Sequence, residues 1–264
     1  DDGQGLDGIL EEDVESILDQ AEEVGVGSWL SEAALWSRWT HVGDLRTNEL
    51  SELLRVDAEG LMQTLSSNRG STSLIKLYGH NFHQRITAAV PPYATWPTDL
   101  HVPFTDSADL FSNDIGIALF QVAVASGEIR LGESKRQEIL RQLVNETCTF
   151  QRNLEGSIER IVSVVVLNLA SKGRVFAWLA SIQEPNDDSS EPVIDDKVQL
   201  PGTRRSRGEL PGARLKHFLD TKFAALKPGV KIHSVSQTVD QHKSDRYGID
   251  TTYLRTVYAG EVYE

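Results

Sequence analysis

Cysteine is nearly absent. The 264 residues include one, Cys148, so no intrachain disulfide can form. That excludes a disulfide-stapled secreted domain and points to a reducing, intracellular compartment. Long apolar runs are missing as well. A membrane helix needs about 20 apolar residues, and the longest apolar region, 158–170, is broken by Glu159, Arg160, Ser163 and Asn168. The Walker phosphate loop, the His-Glu-x-x-His zinc helix and the Gly-x-Ser-x-Gly nucleophile elbow do not occur, which removes the enzyme classes those motifs mark. A Ser-His-Asp triad leaves no spacing signature, so an enzyme with a dispersed site stays among the readings. No cofactor or metal is implied. Met62 is the only methionine and the chain begins Asp1-Asp2, so it reads as a processed or truncated product whose targeting segment would have been lost.

Positive charge is scarce at one end. The net charge is −13, and residues 1–60 account for all of it, with 16 acidic residues against Arg38, Arg46 and Arg55. Residues 61–264 carry 23 charges of each sign. That block is not uniform. Residues 184–196 are acidic, contain proline and have little to bury, which predicts a flexible loop. Residues 203–231 hold eight basic residues against Glu209 and Asp220. Arg204, Arg205, Arg207, Arg214, Lys216 and Lys222 are the candidate phosphate-facing residues of that stretch, with Lys227 and Lys231 beyond them. The bland alternative is a solvated basic face, or a counterpart for the acidic end.

Apolar spacing predicts an amphipathic helix over 8–24, from Leu10, Val14, Ile17, Leu18, Ala21 and Val24. A short helix is expected over 31–41 and a short strand over 74–78. Three prolines in 91–98 exclude a helix interior and read as an extended connection between two lobes. From 113 to 170 the pattern predicts three helices. Their stripes are Ile115, Leu119, Val122 and Ala123, then Ile139, Leu140, Leu143 and Val144, then Leu154, Ile158, Ile161, Val162, Val165, Val166 and Leu169. Residues 213–226 read as helix. Residues 231–239 and 251–263 alternate as strands.

Thr47 to Leu65 resembles the helix-turn-helix of bacterial regulators. Leu50, Leu54, Val56, Leu61 and Leu65 fall where that motif places core apolars, Ser51 is the small contact residue and Asp57 caps the second helix. Arg55 stands where the motif prefers glycine. The resemblance implies that Ala58, Glu59, Gly60, Gln63 and Thr64 face the major groove. However, the segment nets −3, and DNA affinity draws mainly on Lys and Arg. Packed helices without DNA contact are the competing reading. His80 and His83 lie three apart, as metal ligands on a helix do, but no third ligand is recognisable nearby. Trp29, Trp36 and Trp39 fit packing of the N-terminal helices better than base stacking. Asn145-Glu146-Thr147 fits a glycosylation acceptor, a triplet common by chance.

The chain is therefore expected to be mainly α, a helical body with a smaller α+β C-terminal portion. The expected divisions are an acidic helical lobe over 1–90, a helical core over 91–183, a flexible acidic loop over 184–202 and a basic α+β portion over 203–264. The leading functional expectation is a non-enzymatic, self-assembling protein associated with nucleic acid, in the manner of a coat protein or nucleoprotein. Head-to-tail contact between opposite charge blocks would build rings or filaments. A helix-turn-helix regulator and an enzyme with a dispersed site are the alternatives.

Overall fold

The computed structural model describes residues 22–67, 69–153, 155–179, 181–183, 193–195 and 198–263. It divides into two units, 1–30 and 31–264. The amphipathic helix expected over 8–24 lies mostly outside the described residues, and 22–24 form no helix or strand.

The second unit is built on a six-stranded mixed sheet, which overturns the mainly helical expectation. Its helices are α1 (Ala33–Trp36), α2 (Ala58–Ser67), α3 (Arg69–Ala88), α4 (Ser107–Leu110), α5 (Asn113–Ser126), α6 (Glu133–Val144) and α7 (Pro211–Lys222). The strands are β1 (Thr149–Arg152), β2 (Ile158–Ser171), β3 (Arg174–Val175), β4 (Ser181–Gln183), β5 (Val193–Asp195), β6 (Gly202–Arg204), β7 (Val230–Lys243) and β8 (Asp250–Val262). The main correction is β2, where the third helix was expected. Ile158, Ile161, Val162, Val164, Val165 and Val166 are β-branched. Such side chains lose rotamer freedom in a helix and pack well on a pleated surface. When nearly every position is apolar, helical spacing is satisfied by accident and does not discriminate. The reverse correction applies to 74–78, which lies inside α3.

β2 runs through the middle. β1, β6 and β3 pair antiparallel along one edge of it, one after another. β8 pairs parallel along the other edge, Arg160 opposite Thr251 through Ala170 opposite Glu261. β7 closes the order as the antiparallel partner of β8; both are strands, as the alternating pattern predicted, though the spacing did not give their pairing. Residues 158–171 and 250–262 therefore share one sheet. β4 and β5 form a separate antiparallel pair flanking residues 184–192, and the loop expected over 184–196 otherwise lies outside the described residues.

A strand turns alternate residues to opposite faces, and both faces of β2 are covered. Ile158 and Val162 pack with Phe120 and Ala123 of α5, Ile139 and Leu143 of α6, and Tyr247 and Ile249 from the β7–β8 connection. Val165, Leu167 and Leu169 pack on the other side with Tyr258 and with Leu215, Phe218 and Leu219 of α7. α5 begins at Ser112, whose hydroxyl accepts the Asp114 N–H, and stops at Gly127 in the left-handed conformation. α7 begins with Pro211, where a missing N–H costs nothing. Gly116 lets α5 approach β1, since a Cβ there would sit 2.2 Å from Thr149 Oγ1. A smaller cluster joins Ala33 and Trp36 to Tyr78 and Phe82 of α3, with Val102 and Leu110. No helix among the described residues is long and apolar enough to cross a membrane.

Candidate functional site

The segment that resembles a helix-turn-helix does not form one. Only α2 is helical; residues 47–57 contain no helix. Leu50 is 104% exposed and Leu54 91%, so the apolar positions of the motif build no core. The first helix lacks a partner surface, and isolated helices of this length are marginal in water. Asp57 does act as a cap, accepting the Gly60 N–H at 2.7 Å. The whole stretch 38–57 forms neither helix nor strand, and Val42, Leu45, Leu53 and Val56 are exposed along it. It is an arm of the folded unit that is both apolar and acidic.

The arm is tethered at its start by one carboxylate. Asp99 Oδ1 accepts the Ser31 hydroxyl at 2.6 Å and the Trp39 indole N–H at 2.8 Å, and lies 2.8 Å from His41 Nδ1. Asp99 Oδ2 accepts the Val42 N–H. Burial alone would raise the Asp99 pKa, but these donors outweigh it and hold the carboxyl well below the usual range. A depressed carboxylate contributes stability that is complete above its unfolded pKa and is lost as pH falls through the folded one. Acidification below the ordinary carboxylate range is expected to release the Ser31–Val42 tether. Tryptophan fluorescence should record a low-pH transition from Trp39, and Asp99→Asn should remove it. An identical acid profile in that variant would show that Asp99 is not the latch.

An apolar cleft of about 570 Å³ opens between the C-terminal end of α3 and the N-terminal end of α7. Ala88, Ala89 and Ala94 form one wall, Leu215 and Leu219 of α7 the other, with Phe104 between them. The exposed Tyr93 stands at the rim. The Tyr258 hydroxyl donates to the Tyr93 carbonyl at 3.0 Å, fastening the 91–94 turn to the sheet. Burial pushes the Tyr258 phenol pKa up, so it stays a neutral donor. The charged side chains lining the cleft are Arg85, Lys216 and Lys227. Lys227 pairs with Asp220 at the surface.

Beneath the cleft lies a buried charge cluster. Arg85 is 2% exposed, Asp109 1% and Arg205 4%. Arg85 donates to three carbonyls, those of Phe104 at 2.5 Å, Asn81 at 2.8 Å and Asp109 at 3.1 Å. Arg205 forms an ion pair with the Asp109 carboxylate and donates to the Glu209 carbonyl at 2.7 Å. Burial lowers the Arg85 pKa, an effect that Asp109 opposes. Phe104 has φ +65°, a left-handed conformation rare for an aromatic residue. Its carbonyl is held by Arg85, and Phe104 lines both this cleft and a smaller pocket of about 240 Å³. His101, Asp106 and Arg255 line that second pocket. Burial, then the neighbouring Asp109, pushes the Asp106 carboxyl up.

The six basic residues singled out in the sequence do not converge on one surface. Arg204 is exposed and pairs in register with Val164. Arg205 is committed to Asp109. Arg207 is half-buried, and burial lowers its pKa. Arg214 donates to the Thr203 hydroxyl at 2.7 Å. Lys216 and Lys222 are exposed on α7, and only Lys216 of the six lines the cleft. His80 and His83 are exposed on α3. Cys148 is buried in the α5–α6 cluster, where burial raises the thiol pKa. Trp36 and Trp39 pack against the α1–α3 cluster, as their spacing suggested, while Trp29 belongs to the other unit. Arg85, Asp109 and Phe104 went unnoticed in the sequence. A lone arginine in a long helix and a lone aspartate in a four-residue helix carry no signal of burial. No family model, curated protein or solved structure matches the chain.

Proposed function

We propose that the chain is a non-enzymatic assembly subunit that associates with copies of itself and, through its exposed C-terminal cations, with nucleic acid. The observation that carries the reading is the arm. A folded unit that leaves Val42, Leu45, Leu50, Leu53, Leu54 and Val56 in water, interspersed with Asp44, Arg46, Glu49, Glu52 and Arg55, offers an exposed amphipathic segment, and exposed apolar side chains gathered on one segment mark interaction surfaces. The lining of the larger cleft favours binding over chemistry, since apolar side chains dominate it and its charged groups are all basic. The nucleic-acid half rests on the exposed Arg204, Lys216 and Lys222.

Size-exclusion chromatography with light scattering and an absorbance ratio, at low and high salt, tests both halves. The expected mass is a multiple of 29.3 kDa, with nucleic acid retained at low salt and shed at high salt. A multimer free of nucleic acid at low salt would remove the second half. A 29.3 kDa monomer at every concentration would remove the first.

A further inference from the structure

We infer that β7 is a second interface, and that the β7 edges of two copies pair antiparallel across a twofold axis to join their sheets. This goes beyond the self-association reading by naming a surface other than the arm. β7 ends the strand order, with β8 on one side of it. Among the described residues no group hydrogen-bonds to its other edge, although the strand runs for 14 residues. Val235 rests on one face against Ala89, Ala94 and Phe104, and residues 236–239 beyond it are exposed. A free edge is a row of unpaired N–H and C=O groups that templates another strand, and folded proteins usually blunt it with proline, charge or a bulge. Residues 234–239, Ser-Val-Ser-Gln-Thr-Val, carry no proline and no charge. The bulge at His233 lies outside that stretch.

The residues of β7 favour a second β7 as the strand that fits. His233 is an extra residue, since Ile232 pairs with Gly260 and Ser234 with Ala259. The bulge brings Lys231 onto the face of Ser234, Ser236, Thr238 and Asp240, because their partners Glu261, Ala259, Val257, Arg255 and Tyr253 alternate along β8. A twofold axis keeps the joined faces continuous only where residues of one face oppose each other. With the axis at Ser236, Val235 opposes Gln237 and Ser234 opposes Thr238. Past the bulge, Ile232 opposes Val239 and Lys231 opposes Asp240. Symmetry makes each contact twice, so both ends close with an aliphatic pair and an ion pair. Asp240 already holds Arg255 at 2.9 Å, which places its carboxylate on the required face. Moving the axis one residue either way loses the ion pair. At Gln237 it sets Lys231 opposite His242, and at Val235 opposite Thr238. Main-chain bonds supply the affinity of such an added strand, and the side-chain pairs fix its register. The contact is isologous and closes at two copies.

The test is light scattering on the full chain carrying Leu50→Asp and Leu53→Asp, which disables the arm and leaves β7 to act alone. This parent is expected to reach twice 29.3 kDa as concentration rises. Ser236→Lys, at an exposed position, sets two lysines opposite each other at the axis and should raise the dissociation constant about tenfold or more. Lys231→Asp alone and Asp240→Lys alone each oppose like charges and should weaken the pair. Combined, they exchange the charges and should restore it. Urea denaturation checks that each variant is folded. A monomeric parent from a multimeric wild type would overturn β7 pairing, leave the arm reading standing and give the edge to an extended segment of another protein. A parent that stays paired with Ser236→Lys would also overturn it. Dissociation by Ser236→Lys with no recovery in the exchanged pair would overturn the register. A wild type that is monomeric throughout would end both readings.

Discussion

Asp109→Ala is expected to destabilise the protein by about 3–5 kcal/mol, the range for breaking a buried ion pair by removing one partner. The arithmetic of charge explains why. Arg85 and Arg205 are both buried; Arg85 donates to the Asp109 carbonyl, and the Asp109 carboxylate is ion-paired with Arg205 while its charge also favours the Arg85 guanidinium. Its loss leaves two guanidiniums in a low-dielectric site with only carbonyl acceptors. The chain cannot answer by losing a proton, because an arginine stays charged. Asp109→Asn preserves volume and one acceptor but not the charge, and should fall close to the alanine variant. Urea denaturation followed by circular dichroism measures the difference. A shift below about 0.5 kcal/mol, the ordinary effect of a surface substitution, would mean that the cluster is solvated. Total stability is typically about 5–15 kcal/mol, so this single change removes a large share. It should also loosen Phe104 and with it the floor of the cleft.

Leu167→Ala is expected to cost about 2–5 kcal/mol, as large-to-small changes in a packed core do. Leu167 is fully buried near the middle of β2, opposite Tyr258 and against α7. The cavity would open between the sheet and α7, one of the two helices that wall the cleft. Val166→Ala is the matched control. Val166 turns to the other face and is only half-buried, so it should cost about 1 kcal/mol, near the centre of measured values. Equal costs at the two positions would contradict a strand with distinct faces. A helix would not alternate in this way.

That contrast shows what the sequence carried and what it withheld. α5 and α6 were legible because polar residues interrupt their apolar stripes at helical spacing. β7 and β8 were legible because they alternate. β2 was misread because a strand covered on both faces has no alternation to show. Its β-branched content was the available signal. The arm was misread for a related reason. Leu50, Leu54 and Val56 satisfy a helical motif on paper, but a motif does not report whether anything packs against it. Charge was informative about blocks and misleading about surfaces. Arg204 and Arg205 are adjacent in sequence, yet a strand sends them to opposite faces, one to solvent and one to Asp109. The cleft drew residues from α3, the 91–94 turn, Phe104 and α7, and no local pattern connects positions that far apart.

The central claim, that the chain associates with copies of itself through the exposed 42–56 arm, is tested most directly by light scattering over a concentration series on the wild type and on Leu50→Asp with Leu53→Asp. The prediction is a multimeric wild type and a variant whose dissociation constant rises by about 30-fold or more. A wild type of 29.3 kDa at every concentration, or a variant as multimeric as the wild type, would contradict the account.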